Sequence, residues 1–63
     1  MPKYQIGDIL AQSDSVNTFH YLIEDYTIRP YGKVYFFRIL ETNQLFDQVI
    51  DIIDNSKQII KVA

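Results

Sequence analysis

The chain has 63 residues, of which 48% are hydrophobic and 14% aromatic, and this is enough for one small domain with a compact core. It contains no cysteine, so disulfide frameworks and thiolate metal clusters are both excluded. Eight acidic residues against six Lys and Arg give a formal net charge of −2, and such a low density of basic residues disfavours nucleic-acid binding.

The N-terminal part predicts a strand followed by a polar loop. The strand is expected over residues 4–12, and Gly7 within it indicates a bulge or a close backbone approach. Residues 13–18 are mostly Ser, Asp, Asn and Thr, whose side chains hydrogen-bond the nearby backbone. This composition is typical of a loop between two strands.

A second strand is predicted over residues 19–28. Alternate positions in its first half are apolar: Phe19, Tyr21 and Ile23. The alternation then slips at Glu24 and Asp25, because Tyr26 and Ile28 continue the other register. An extra residue in one strand of an antiparallel pair has this effect, so we expect a β-bulge at this point.

The third strand is apolar on both faces. It follows a predicted β-turn over residues 29–32, with Pro at the second position and Gly at the fourth, and it runs over residues 33–41 to a tight turn at Thr42-Asn43. One face carries Tyr35, Phe37 and Ile39, and the other carries Val34, Phe36, Arg38 and Leu40. The second face therefore needs a cover, either the chain itself closing into a barrel or another molecule.

Residues 45–55 support two interpretations. Apolar side chains fall at helical spacing at Leu45, Phe46, Val49, Ile50 and Ile53. The segment 49–53 is dense in β-branched residues, however, and Ile52 would lie on the solvent face of such a helix. The alternative is a fourth strand to about residue 50, one helical turn over 51–56 and a last strand over 58–62. We favour the second interpretation.

The order of these elements resembles a Src-homology-3-like small barrel. The resemblance rests on Ile6-Gly7-Asp8 opening a strand, the polar loop, the long hairpin, the turn at Thr42-Asn43 and the segment 52–56 before the closing strand. The pattern of elements is also similar to that of short bacteriophage proteins of unknown role. The resemblance implies one all-β domain over residues 1–63, a five-stranded small barrel with a single helical turn before the last strand. The alternative fold is a three-stranded antiparallel sheet plus one helix.

Aromatic and basic residues gather around the second face of the third strand. Tyr and Arg are frequent where proteins meet partners, because they combine a large contact area with polar groups. The predicted partner-binding residues are Tyr26, Arg29, Tyr31, Val34, Phe36 and Arg38. The competing explanation is that barrel closure buries this face and the Tyr hydroxyls simply reach water.

Residues that could support catalysis or metal binding are sparse. His20 is the only histidine and has no partner predictable from spacing, so an unspecialised surface role is expected. The acidic residues Asp47, Asp51 and Asp54 are explained by solvation and capping of a helical turn rather than by a metal. We expect no enzyme activity, no metal and no cofactor.

The hypothesis from the sequence is a non-enzymatic interaction or structural module that binds a protein partner or itself, of the kind that phages encode. The alternative is a nucleic-acid-binding small barrel that uses Arg29, Lys33 and Arg38. No apolar segment reaches about 20 residues and no signal peptide is visible, so we expect a cytoplasmic protein without a membrane partner. For a phage protein this means the host cytoplasm or the virion.

Overall fold

The computed structural model describes residues 3–63 and consists of one antiparallel sheet with a short helix. The elements in chain order are β1 (Ile9–Ser13), β2 (Thr18–Arg29), β3 (Gly32–Ile39), β4 (Gln44–Val49), α1 (Ile50–Asp54) and β5 (Ile59–Lys61). The five strands lie in the order β4-β3-β2-β1-β5. The all-β prediction, with one helical turn before the last strand, is confirmed, and β4 and β5 are the two edges of the sheet.

The predicted first strand is too long at its N-terminal end. Residues 4–8 form turns, because Gly7 has a φ of 96° that an extended strand does not allow. The Gln5 amide donates to the Asp8 carboxylate at 2.9 Å, and the Asp8 amide donates back to the Gln5 carbonyl at 3.0 Å. The Gly7 amide still reaches the Ile23 carbonyl at 2.8 Å, so this glycine makes a close approach to the backbone of β2.

The predicted bulge in β2 is confirmed. The register with β3 shifts between Ile23, which lies opposite Phe37, and Asp25, which lies opposite Phe36. After the bulge, Tyr26 lies opposite Tyr35, and directly opposed residues of antiparallel strands point to the same face. The twelve-residue β2 can therefore pair with β1 along its first half and with β3 as far as Arg29.

Two predicted turns join the central strands. Gly32 has a φ of 131° at the end of the β2–β3 turn, and Asn43 has a φ of 60° in the β3–β4 turn. A Cβ at position 32 would meet no atom within 4 Å, so the requirement for glycine there comes from the backbone conformation alone.

Replacing Gly32 with Ala should lower the free energy of unfolding by about 1–2 kcal/mol, because L residues rarely adopt this φ. Urea unfolding monitored by circular dichroism measures the change. The control is Val16→Ala in the exposed β1–β2 loop, which we expect to be nearly neutral. Equal stability of the two variants would show that the turn does not need glycine.

The last third follows the strand–turn–strand interpretation, and a helix beginning near residue 45 is wrong. β4 ends at Val49 and α1 begins at Ile50, so the helix starts one residue earlier than predicted. Ile50 and Ile53 are buried on one side of this single turn, which explains why the apolar spacing resembled that of a longer helix. The three-stranded alternative fold is excluded by the presence of β4 and β5 in the sheet.

The core lies under α1 on one side of the sheet, which we name the inner face. Its buried members are Tyr4, Leu10, Ile23, Tyr35, Phe37, Ile50, Ile53 and Ile59, with Tyr21 and Ile39 packed against them. Tyr35 is fully buried, and its hydroxyl donates to the Asp54 carboxylate at 2.8 Å and accepts from the Tyr4 amide at 3.1 Å. Burial raises the pKa of Tyr35 to about 12. Tyr35 thus ties together the N-terminal segment, β3 and α1.

Candidate interaction surface

Phe36 is at the centre of the predicted partner-binding residues, on the outer face of the sheet, opposite the core. It is half-buried and lies between Asp25 of β2 and Asp47 of β4 in the strand register. The Arg29 guanidinium is 5.4 Å from the centre of the Phe36 ring, within the range of a cation–π contact. Arg29 and Phe36 therefore form one feature of the outer face.

Val34 is fully buried, although it alternates with the core residue Tyr35 and so points to the outer face. Its cross-strand neighbours are Thr27 and Val49. The Tyr31 hydroxyl reaches from the β2–β3 turn to the Asp47 carboxylate at 3.4 Å, across this end of the outer face. The chain's own side chains thus cover part of the second face, and Val34 is not available to a partner.

Arg38 is held by groups of the same chain. Its guanidinium contacts the Glu24 carboxylate at 2.7 and 3.4 Å, and it donates to the Asn43 carbonyl at 2.9 Å. The hydrogen bond from Arg38 lowers the pKa of Glu24 below its usual value, and the same contact raises the pKa of Arg38. Arg38 joins the bulge of β2 to the β3–β4 turn, and its donors are largely engaged there.

Tyr26 and Lys33 do not share the outer face with Phe36. Tyr26 lies opposite Tyr35, and Lys33 lies opposite Ile28, so the register places both on the side of the core. The bulge at Glu24 accounts for Tyr26, because the extra residue moves the following positions of β2 to the other parity. Lys33 follows from alternation along β3, where it shares a face with Tyr35. The slip in the alternation was visible in the sequence, and its consequence for Tyr26 could have been read there.

A groove on the inner face is the feature that the sequence did not predict. It has a volume of about 350 Å³ and opens between the two edge strands, since Phe46 of β4 and Ile59 of β5 both line it. Its floor is aromatic: Phe37 lies 5.0 Å from Tyr21 and 6.4 Å from Phe46, measured between ring centres. Gln12, Gln48 and Ser56 supply polar groups among the apolar lining.

Exposed apolar side chains lie beside this groove. Phe46 and Ile52, which both line it, are 45% and 57% exposed, and Leu45 on the opposite face of β4 is 50% exposed. β4 therefore exposes one large apolar side chain on each face beside the single charge of Asp47, and apolar side chains at an exposed edge favour contact with another chain. The adjacent residues Leu45 and Phe46 are a signal of this exposed apolar surface in the sequence. Interpreting that signal requires knowing that β4 is an edge strand.

The outward side of β4 also carries unpaired backbone groups. The Val49 amide donates to the Gln48 side chain at 2.9 Å rather than to β3, so the Val34–Val49 pair is not a hydrogen-bonded one. Hydrogen-bonded pairs alternate along an antiparallel ladder, so Leu45 and Asp47 also direct their backbone groups away from β3. We call the backbone of Leu45 and Asp47 the free edge.

His20 has an acidic partner that its position in the sequence did not reveal. The Glu41 carboxylate accepts from the His20 amide at 2.7 Å and lies 2.6 Å from the His20 Nδ1. These two hydrogen bonds lower the pKa of Glu41 below its usual value of 4.5. The pair fastens β2 to the end of β3, and within residues 3–63 it has no hydrogen bond to a nucleophilic hydroxyl.

Lowering the pH should destabilise the fold as Glu41 and other carboxylates become protonated. Glu41, Glu24, Asp8 and Asp14 all have lowered pKa values in the folded chain, so each contributes stability that is present above its unfolded pKa and is lost as the pH falls through its folded pKa. We expect the midpoint of urea unfolding to fall as the pH drops below about 4.5. Glu41→Gln should weaken the dependence of this urea midpoint on pH. An unchanged dependence would contradict the contribution of Glu41 to stability.

The acidic residues considered for a metal do not converge. The Asp54 carboxylate is engaged by the Tyr35 hydroxyl at 2.8 Å and the Lys3 amide at 3.1 Å, while Asp47 faces Tyr31. A polar pocket of about 270 Å³ contains Asp51 and Asp54 beside Lys33. Across residues 3–63, no group of three or more His, Cys, Asp or Glu side chains is arranged to hold a metal ion.

Comparisons with known proteins give no further assignment. The chain matches no protein-family model, and searches of curated proteins and of solved structures return no significant match. Between residues 3 and 63, no helix has the length and apolar character needed to cross a membrane. The groove, the free edge and the outer face are therefore the features of the chain that bear on its function.

Proposed function

We propose that this chain is a non-enzymatic interaction module that binds a protein partner at the β4 side of its sheet. The observation that carries the proposal is the exposure of Phe46 and Ile52 at a groove of about 350 Å³, together with the exposure of Leu45 on the other face of β4. Contiguous exposed apolar surface bordered by polar groups is typical of protein-binding sites. Binding would remove these side chains from water, which is the main favourable term in such association.

The polar groups near the groove support a binding role rather than a chemical one. The Tyr21 hydroxyl donates to the Gln12 side chain at 2.6 Å, and both residues line the groove. Two polar groups of the lining are thus bonded to each other. The apolar rings of the floor are the surface offered to a ligand.

The outer-face feature of Arg29 and Phe36 extends the same surface. Phe36 lies opposite Asp47, one residue from Phe46 along β4, so the two features flank β4 from opposite faces of the sheet. A partner that covers β4 can contact both. The predicted patch thus keeps a part in the proposal through Arg29, Tyr31 and Phe36, without Val34.

Nucleic-acid binding has weaker support. Arg38 is engaged by Glu24, and Lys33 lies on the face opposite Arg29 and Arg38, so the three basic residues do not form one positive surface. The net charge of −2 adds to this. Electrophoretic shifts with single-stranded and duplex probes at low salt test the alternative, and a salt-dependent shift would favour it over a protein partner.

The experiment for the proposed function is affinity capture followed by calorimetry. The immobilised chain is exposed to a lysate of the cells that encode it, alongside two variants: Ile52→Ser at the groove and Val16→Ser in the exposed β1–β2 loop. We expect a partner that binds the native chain and Val16→Ser but not Ile52→Ser, and that binds directly once purified. Capture of the same proteins by all three chains would reject the groove as the binding site.

A further inference from the structure

The two edge strands face each other across the groove without being paired in residues 3–63. β4 carries Phe46 and Gln48 at one side of the groove, and β5 carries Ile59 at the other. The free edge at Leu45 and Asp47 offers backbone donors and acceptors along β4. A ligand of this site thus meets an apolar groove and an open hydrogen-bonding ladder together, and an extended polypeptide strand has the groups to satisfy both.

We propose that the partner contributes an extended segment that pairs with the free edge of β4 as a sixth strand and places an apolar side chain in the groove. This inference rests on the proposed function and specifies how the partner binds. Backbone hydrogen bonds to Leu45 and Asp47 would supply affinity, and the alternating side chains of the added strand would supply specificity.

The side chains around the edge define the chemistry of the segment. Residues directly opposite each other in paired strands point to the same face, so the partner residue across from Phe46 enters the groove and should be apolar. The residue across from Asp47 lies beside its carboxylate, on the outer face. Within residues 3–63, no Lys or Arg forms a salt bridge with Asp47, so a Lys or Arg is expected at that position of the partner.

A second copy of this chain fits the edge less well than a different protein. Pairing β4 with β4 of another copy would bring Asp47 of both chains to one interface. Within residues 3–63, no Lys or Arg forms a salt bridge with Asp47, so two like charges would share that interface. Charge complementarity therefore favours a segment that brings its own basic residue.

Selection of binders from a random displayed peptide library tests the inference with the purified chain alone. We expect the selected peptides to share an apolar residue next to a Lys or Arg. When a selected peptide is added, the amides of Leu45 and Asp47 should become protected from hydrogen exchange. A chemically synthesised chain with an N-methyl group at Leu45 should bind such a peptide about tenfold or more weakly, because it loses an edge donor while keeping the side chain.

Two comparisons make the test specific. Asp47→Asn should weaken the binding of a Lys-containing peptide about two- to fivefold, and it should leave the binding of the Lys→Gln analogue of that peptide unchanged. Val16→Ser should bind as the native chain does. Circular dichroism of the N-methyl chain must match that of the native chain, and an N-methyl group at Asp47 serves as the second edge variant if the first does not fold.

Several outcomes would overturn strand addition. The library could yield no binder, or binders that lack an apolar residue next to a Lys or Arg. The native and N-methylated chains could bind a selected peptide equally well. Hydrogen exchange could show protection at the Phe36 amide rather than at the free edge. A partner captured from lysate whose binding depends on Ile52 but not on the Leu45 amide would leave the proposed function standing while rejecting this inference. Sedimentation showing a dimer that buries β4 would assign the edge to a second copy instead.

Discussion

Tyr35→Phe is expected to lower the free energy of unfolding by about 2 kcal/mol, although it removes only one oxygen atom. The Tyr35 hydroxyl satisfies the Tyr4 amide and the Asp54 carboxylate, and both would lose a buried partner. Leaving such groups unsatisfied costs about 1–3 kcal/mol. Urea unfolding at neutral pH, where the hydroxyl is protonated, measures the change.

The matched control for this substitution is Tyr31→Phe. Tyr31 is exposed, and its hydroxyl makes one contact of 3.4 Å to Asp47 at the surface, so its loss should change stability by less than about 0.5 kcal/mol. Equal effects of the two substitutions would contradict the role of Tyr35 as the junction of the N-terminal segment, β3 and α1.

Phe46→Ser is expected to weaken partner binding about tenfold or more, because an aromatic ring at the centre of an interface commonly carries much of the binding energy. Its effect on folding should be smaller, about 1 kcal/mol, since Phe46 is 45% exposed and lies at the edge of the aromatic floor. Calorimetry with the captured partner, and urea unfolding of the free chain, separate the two effects.

Phe36→Ser on the outer face is the comparison for Phe46→Ser. If the partner covers β4 mainly from the groove side, Phe36→Ser should weaken binding less than Phe46→Ser does. A stronger effect of Phe36→Ser would place the main contact on the outer face, with Arg29 and Tyr31. This result would return the site to the patch that the sequence suggested and would contradict the groove.

Much of the fold follows from local patterns in the sequence. The Pro and Gly of the segment 29–32 specify a turn, Asn43 adopts the left-handed conformation expected of it, and the slip at residues 24–25 marks the bulge. The predicted start of the first strand was wrong, because the chain turns at Gly7 and β1 begins only at Ile9. This turn depends on the positive φ of Gly7, an angle that the sequence does not give. Barrel closure of the Src-homology-3-like kind stays a prediction.

The candidate site was only partly predictable, because it depends on which strands are neighbours. The outer-face pair of Arg29 and Phe36 follows from alternation within one hairpin. The groove instead brings Phe46 and Ile59 together from the two ends of the strand order, which no spacing in the chain expresses. Burial of Val34 was also hidden, since Val34 lies between Thr27 and Val49 of the two neighbouring strands, a pairing that the sequence does not give.

Hydrogen exchange at the amides of Leu45 and Asp47, measured in the free chain and with the partner bound, decides whether the partner pairs with the free edge of β4. We expect fast exchange at both amides in the free chain at every protein concentration, and strong protection in the complex. Exchange that stays fast at both amides when the partner is saturating would contradict this pairing. Protection that grows with concentration of the chain alone would show that the edge of β4 pairs with another copy.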